Sequence, residues 1–229
     1  MASGRAVIGP DPVVAAGIGV RHGRGWAVRA ASFRIGQPLS GGSALGILTD
    51  HPSQSAALVD LLAGVARPAY GELRVLGHDM ATIRGRAAVR RRVGVARRTA
   101  RPLPGIRVRG LVEHSARLGR PHRQDRRLLA AAILDRLSLM PWAEVTLRAA
   151  PDAIARRTRL AAAAVHQPEL LLLDGLLDGL PGREVSVLAA AVKDLSRDTG
   201  ILLAGCDREA LELACDDVLV LADGVLISV

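Results

Sequence analysis

Four leucines closing on an aspartate, Leu170-Leu171-Leu172-Leu173-Asp174, constrain this chain more than any other stretch. A short continuous apolar run of this kind reads as a strand buried on both faces, as in a parallel sheet covered by helices. In open α/β sheets ligands collect at the carboxyl ends of the strands, where Asp174 stands. In phosphate-handling enzymes such an aspartate holds magnesium, and a neighbouring acid positions the attacking water. The next residue here is Gly175, so the strand is present and the second acid is not.

Around that strand the pattern alternates strand and helix. Val13 to Val20 and Trp26 to Phe33 read as strands about the turn Arg21 to Gly25, and Gln37 to Ser43 reads as a loop. Ala44 to Leu48 is a short buried strand, followed by a helix from Ser53 to Ala63 that Gly64 closes. A strand, a tight loop and a helix is the layout of a phosphate-binding unit. Glu72 to Leu76 is a further strand, and arginine is dense from Thr82 to Arg101, interrupted by Val93-Gly94-Val95-Ala96. Helices follow over Val108–Leu118, Asp125–Leu139 and about Asp152–His166. After the leucine strand come a helix over Arg183–Arg197, a strand over Ile201–Ala204 and a helix over Asp207–Ala214. Strands over Val218–Leu221 and Val225–Val229 close the chain.

A length of 229 residues suits one α/β domain or a core with a subdomain. The formal charge is +9 and almost all of it is arginine, Lys193 being the single lysine. Such an excess suits nucleic acid or an anionic membrane surface, and arginines on solvated faces produce the same count. No aromatic RNA-binding motif or zinc-finger spacing accompanies it, so no specific nucleic acid is expected. Cys206 and Cys215 are too far apart for a metal or redox motif, which points to reduced thiols in a cytoplasm. Neither a secretory leader nor an apolar run of roughly 20 residues is recognisable, and the expectation is a soluble, cytosolic chain.

The stretches Gly46-Ile47-Leu48 and Ala57 to Asp79 resemble the first half of an ABC-transporter ATPase. Val165-His166-Gln167-Pro168-Glu169 with Leu170 to Leu180 resembles its second half, and Ile201 to Asp207 with Val218 to Gly224 resembles its end. The likeness runs in family order over roughly residues 13 to 229. The fold it implies is α/β: a P-loop NTPase, ABC-ATPase-like core, with a RecA-like sheet, an antiparallel β subdomain and a helical subdomain at about 84–150. Residues 1–12 would be a flexible N-terminus and 13–229 the domain.

The resemblance also says which residues stand at the family's chemical positions. The phosphate loop, Gly-x-x-Gly-x-Gly-Lys-Ser-Thr in the family, aligns without gaps to Thr49, Asp50, His51, Pro52, Ser53, Gln54, Ser55, Ala56 and Ala57. Its glycines are gone, Pro52 has no N–H to offer a phosphate, Ser55 stands at the lysine and Ala56 lacks the magnesium-binding hydroxyl. This stretch is either a weak or lost nucleotide site, or a loop retained because it starts a helix. The family's glutamine aligns with Arg98, which cannot ligate a cation. Its Leu-Ser-Gly-Gly-Gln signature aligns with Ala150, Pro151, Asp152, Ala153 and Ile154, where a proline and a carboxylate suit a helix start better than an anion site. The catalytic glutamate is Gly175, the loop Asp178-Gly179-Leu180-Pro181 has lost its final aspartate, and the switch histidine is Cys206. The adenine-stacking position falls on His22, and Asp207 reads as a helix N-cap.

By resemblance, then, the chain is a degenerate ABC-type nucleotide-binding subunit, a pseudo-ATPase with a structural or regulatory role in a transporter-like membrane complex. No cofactor or metal is expected; if any site survives it would take ATP and Mg2+, with Asp174 as the ligand. Expected partners are a membrane permease and an intact ABC ATPase, in a homo- or heterodimer at the cytoplasmic face of the membrane. One alternative is an ATP-binding subunit with residual binding or hydrolysis, in which Arg97 and Arg98 replace the lysine. Another is a regulatory or nucleic-acid-associated protein using the arginine-rich surface from Arg84 to Arg109.

Overall fold

The computed structural model describes residues 11–22, 25–36, 43–99, 104–119 and 122–228. In chain order the elements are β1 (Val13–His22), β2 (Gly25–Ile35), β3 (Ala44–Thr49), α1 (Pro52–Leu62), β4 (Tyr70–Val75) and β5 (His78–Asp79). Then come α2 (Ile83–Val89), β6 (Val93–Arg97), α3 (Val108–Ser115), α4 (Arg123–Arg136), α5 (Asp152–Ala164) and β7 (Leu170–Asp174). The chain ends with α6 (Gly182–Ser196), β8 (Gly200–Gly205), α7 (Arg208–Ala214), β9 (Asp217–Ala222) and β10 (Val225–Ser228). The ten strands among the described residues form one sheet in the order β5-β4-β1-β2-β10-β9-β3-β8-β7-β6.

The sheet has two characters. β5, β4, β1 and β2 pair antiparallel, whereas β9, β3, β8, β7 and β6 pair parallel. The halves meet where β10 pairs antiparallel with β9 and parallel with β2 through Val225 and Ala30. The four leucines of β7 explain why the parallel half must be covered on both sides. Leu171 and Leu173 join the apolar cluster under α3 to α7, and Leu170 and Leu172 join the cluster that α1 forms with β1, β2 and β4. All four are fully buried, and each stabilises the fold by about 1.5–3 kcal/mol on area grounds.

Register brings the candidate residues together. In the parallel ladder Asp174 is paired with Arg97 of β6 and Ala204 of β8, and Leu48 of β3 with Gly205. The carboxyl ends of four strands therefore converge on one edge, with α1 rising from it directly after β3.

The arginine-dense stretch holds more order than its composition suggests, since α2 and β6 lie within it. Arg86 donates to the Met80 and Ala81 carbonyls, and Arg90 to that of Gly64. Arg92 forks onto the Glu169 carboxylate at 2.5 and 2.6 Å, and Arg107 and Arg109 share Glu144. Gly94 in β6 faces the Ala163 carbonyl of α5 so closely that a Cβ there would collide with it. The two helices expected to end at Leu118 and Leu139 stop sooner. α3 tightens into a 3₁₀ turn over Ala116–Gly119, and Ser138 has a positive φ just after α4. Residues 1–10 of the expected flexible N-terminus, and 37–42 of the expected loop, lie outside the described residues; the Pro12 carbonyl accepts from Leu76 N–H at 2.7 Å. No helix among the described residues is long and apolar enough to cross a membrane.

Candidate functional site

The loop after β3 is closed upon itself. Thr49 ends the strand buried, donating to the Gly205 carbonyl at 3.2 Å and lying 3.5 Å from the Cys206 sulfur. The N–H groups of Asp50 and His51 both donate to Gln54 Oε1, at 3.0 and 3.2 Å. Ser53 N–H donates to His51 Nδ1 at 3.1 Å, and Gln54 N–H to the His51 carbonyl at 2.9 Å. Pro52 has no N–H. His51 is thus the N-cap of α1, in a capping box with Gln54. Asp50 Oδ2 accepts from Asp223 N–H at 3.2 Å, Ala56 is half-buried and Ala57 buried. A phosphate cradle needs loop amides that point outward and unpaired. From Asp50 to Gln54 every amide proton is already donated within the loop.

Asp174 differs from the expectation for its hydroxyl partner. Ala56 supplies none, as read from the alignment, but Ser55, assigned there to the lysine position, turns its Oγ onto Asp174 Oδ1 and lies 3.4 Å from the Ala204 carbonyl. Ser55 is 1% exposed, and its side chain is committed to the sheet edge. The other carboxylate oxygen, Oδ2, accepts from Arg97 Nη1 at 3.1 Å, while Nη2 of the same guanidinium pairs with Asp60 of α1. A hydroxyl beside an aspartate is the donor set for a phosphate-bound magnesium. A guanidinium on the second oxygen is not, because it sets a fixed positive charge against an oxygen the ion would bind. The residues present do not fit the ion while Arg97 holds that position.

Beyond Asp174 the chain turns sharply. Gly175 has φ +59° and donates its N–H to the Ala204 carbonyl at 2.8 Å, and a Cβ added to it would lie 3.1 Å from Asp178 Oδ2. Asp178 is 8% exposed and directs its carboxylate at the loop after β8, where Oδ1 accepts from Cys206 N–H at 3.1 Å. A Cβ on Gly205 would come within 2.6 Å of the same oxygen. Burial pushes the Asp178 carboxyl above its ordinary range, opposed by the Cys206 N–H, the charge of Arg98 and the Asp207 N–H. An internal carboxylate therefore occupies the amides of this loop. Arg98 donates its N–H to the Asp174 carbonyl at 2.9 Å, and its own carbonyl accepts from Arg159 at 2.6 Å. Cys206 is exposed, and Asp207 caps α7 through Ala210 N–H at 3.1 Å, as its position predicts.

The signature positions start α5, with Pro151 as N-cap. The Asp152 carboxylate is held by Arg156, whose Nε and Nη2 approach Oδ2 at 2.8 and 2.6 Å. Arg156 is itself buried, and its Nη1 donates to the carbonyls of Leu176 and Asp178, at 3.2 and 2.6 Å. Ala150 and Ala153 are half-buried and Ile154 is buried, so this helix end is anchored to the turn after β7.

Thr49, Ser55, Arg98, Asp174, Gly175 and Cys206 thus meet at the carboxyl ends of β3, β6, β7 and β8, with Asp50 to Gln54 closing the loop beside them and Ala56 and Ala57 following in α1. Sequence reasoning missed Asp60, Arg156 and the inward direction of Asp178, and it set Arg97 in place of the lysine, whereas the structure pairs it with Asp174 and Asp60. The strand period of Val93, Val95 and Arg97 was the available signal for the face on which Arg97 lies. The His22 side chain lies outside the described residues.

Comparison with known proteins bears on the family and the fold. The family model described as "ABC transporter" matches residues 42–177. "Methionine import ATP-binding protein MetN 2" of Burkholderia mallei is 26% identical over 86% of this chain and 51% of its own length. The chain thus spans about half the length of that relative. Among solved structures, cbiO1 of Clostridium perfringens, described as part of the ABC transporter complex cbiONQ, superposes with a TM-score of 0.80. It is 18% identical, covering 95% of this chain and 87% of its own. The dimeric bacterial ABC transporter cassette MJ0796 gives a TM-score of 0.80 at 15% identity, covering 93% and 96%.

Proposed function

This chain belongs to the ABC transporter family, as an ATP-binding cassette, and from that premise we propose that it is a cassette whose magnesium-dependent hydrolysis has been lost. One observation carries the reading: the amides from Asp50 to Gln54 are donated to the loop's own His51 and Gln54. Cassettes of this family bind ATP or ADP with Mg2+, and the ion would supply charge neutralisation between phosphates. With Gly175 in place of an acid no side chain there can orient a water, and each such lost element typically costs on the order of 10³ in rate. What the chain keeps is a sheet edge, an anchored α5 and a helical layer that α3 and α4 carry after β6. These suit a structural or regulatory subunit that docks a membrane permease through that layer and the Arg98 region, beside an intact ATPase. Such docking would hold the chain at the inner face of the membrane.

A second reading is a subunit with residual ATP binding or hydrolysis. It is favoured by family membership and by the relative described as an ATP-binding protein. The two readings part in one assay on the purified chain. Calorimetry with Mg-ATP, followed by phosphate release, is expected to show weak or no binding and no turnover above background. Turnover at rates ordinary for such cassettes, abolished by Asp174→Asn, would refute the proposal and establish the second reading. The nucleic-acid reading has lost ground, because Arg86, Arg90, Arg92, Arg97, Arg107 and Arg109 are engaged by the protein's own carbonyls and carboxylates.

A further inference from the structure

We propose that Arg97 is a tethered cation: its guanidinium holds the place on Asp174 that a divalent metal ion would take, so the site is built to be complete without metal. The inference rests on the chain being a cassette of the family above, and not on whether it hydrolyses ATP. Four groups carry it. Arg97 and Asp174 are register partners at the ends of β6 and β7, so the arginine leaves the backbone beside the carboxylate. Its Nη1 reaches Asp174 Oδ2 at 3.1 Å and its Nη2 reaches Asp60 Oδ1, so one planar fork spans a strand end and a helix. Ser55 closes the other oxygen of Asp174 from the same helix that carries Asp60.

The charges are matched differently from a metal site. Asp60 and Asp174 together carry two negative charges, one of which Arg97 offsets permanently. Asp174 is only 14% exposed and Arg97 29%, so the pair is shielded from bulk solvent and salt better than a surface pair. A small divalent cation demands near-octahedral oxygen ligands at roughly 2.0–2.1 Å. To reach Asp174 Oδ2 it would have to displace the guanidinium or lie against its charge. Conversely, taking the guanidinium away leaves the carboxylates of Asp60 and Asp174 facing a vacated cation position, with Ser55 on the other oxygen of Asp174.

The test uses Mn2+ as the probe, titrated into the full chain without nucleotide and followed by the paramagnetic resonance of free ion. The wild-type chain is expected to leave Mn2+ free across the micromolar range. Arg97→Gln is expected to bind one Mn2+ per chain, tighter than wild type by on the order of tenfold or more. Adding Asp174→Asn to that variant should remove the gain. Binding by the wild-type chain that equals that of Arg97→Gln and depends on Asp174 would overturn the proposal, as would no gain in a folded Arg97→Gln. Should that variant not fold, melting of the wild-type chain with and without Mg2+ decides: an unchanged midpoint supports the tethered cation, and an Asp174-dependent rise refutes it. ATP turnover by the wild-type chain would sink the hydrolysis reading without touching this titration, so the two failures are separable.

Discussion

Arg156 offers the sharpest test of how the edge of the site is held. Its side chain is 6% exposed, and Nη1 is shared by the main-chain carbonyls of Leu176 and Asp178 at 3.2 and 2.6 Å. Replacing it by methionine keeps most of the apolar stem and removes every donor. The carbonyls cannot be mutated away, and Leu176 is fully buried, so each left unpaired costs about 1–3 kcal/mol. Relief from desolvating a guanidinium returns part of this, because Asp152, its carboxylate partner, is 60% exposed and can resolvate. The net expectation is a loss of about 2–4 kcal/mol, or roughly 4–16 °C in Tm for a domain of this size. Urea unfolding with unchanged slope and a lowered midpoint is the assay. A midpoint within about 0.5 kcal/mol of wild type would show that these carbonyls do not depend on Arg156, and would refute the anchoring of α5 to the turn after β7.

Three further outcomes follow from particular groups. Burial holds the His166 imidazole below its ordinary range, so the folded chain resists a proton that the unfolded chain accepts near about 6.5. Stability is then fully present above that value and falls as the pH drops through it, seen as a lower urea midpoint near pH ~5 than near ~7.5 that His166→Gln flattens. Burial, with Asp216 beside it, pushes the Cys215 thiol up to about 12, while Cys206 is exposed. A maleimide near pH ~8 should therefore label Cys206 alone in the native chain and both thiols after unfolding, and native labelling of Cys215 would contradict its burial. Gly94→Ala forces a Cβ against the Ala163 carbonyl and should cost roughly 1–3 kcal/mol by chemical denaturation, with a neutral effect showing that β6 and α5 have room to part.

The parallel core was legible because its signals are local. Four leucines ending in Asp174 need both faces covered, and the structure sends them alternately to two apolar clusters. The helix start at Pro151 and Asp152 and the N-cap role of Asp207 were equally legible, since both are decided within one turn. The site was less so. Arg97 meets partners 37 and 77 positions away, and the strand period marks only the face it lies on, not the carboxylates it reaches. A gapless alignment set Ser55 at the lysine position, yet said nothing of its hydroxyl turning onto Asp174. Asp178 was read by what its loop had lost, and only packing shows that its carboxylate turns inward.

The self-capped start of α1 makes the departure from phosphate binding hard to reverse one residue at a time. Glycines restored at Thr49, Pro52 and Gln54 would free the Asp50 and His51 amides, but the last would also break the capping box that Gln54 forms with His51, at a cost of about 0.5–1.5 kcal/mol. Each glycine placed inside the first turn would add roughly 0.5–1 kcal/mol. That penalty would not stay in a surface loop, because α1 packs against β1, β2, β7 and β8 and its leucines fill the inner cluster. Every early step back toward a nucleotide loop would loosen the core before a ligand could compensate, so the loop behaves as a ratchet whose pawl is a helix cap.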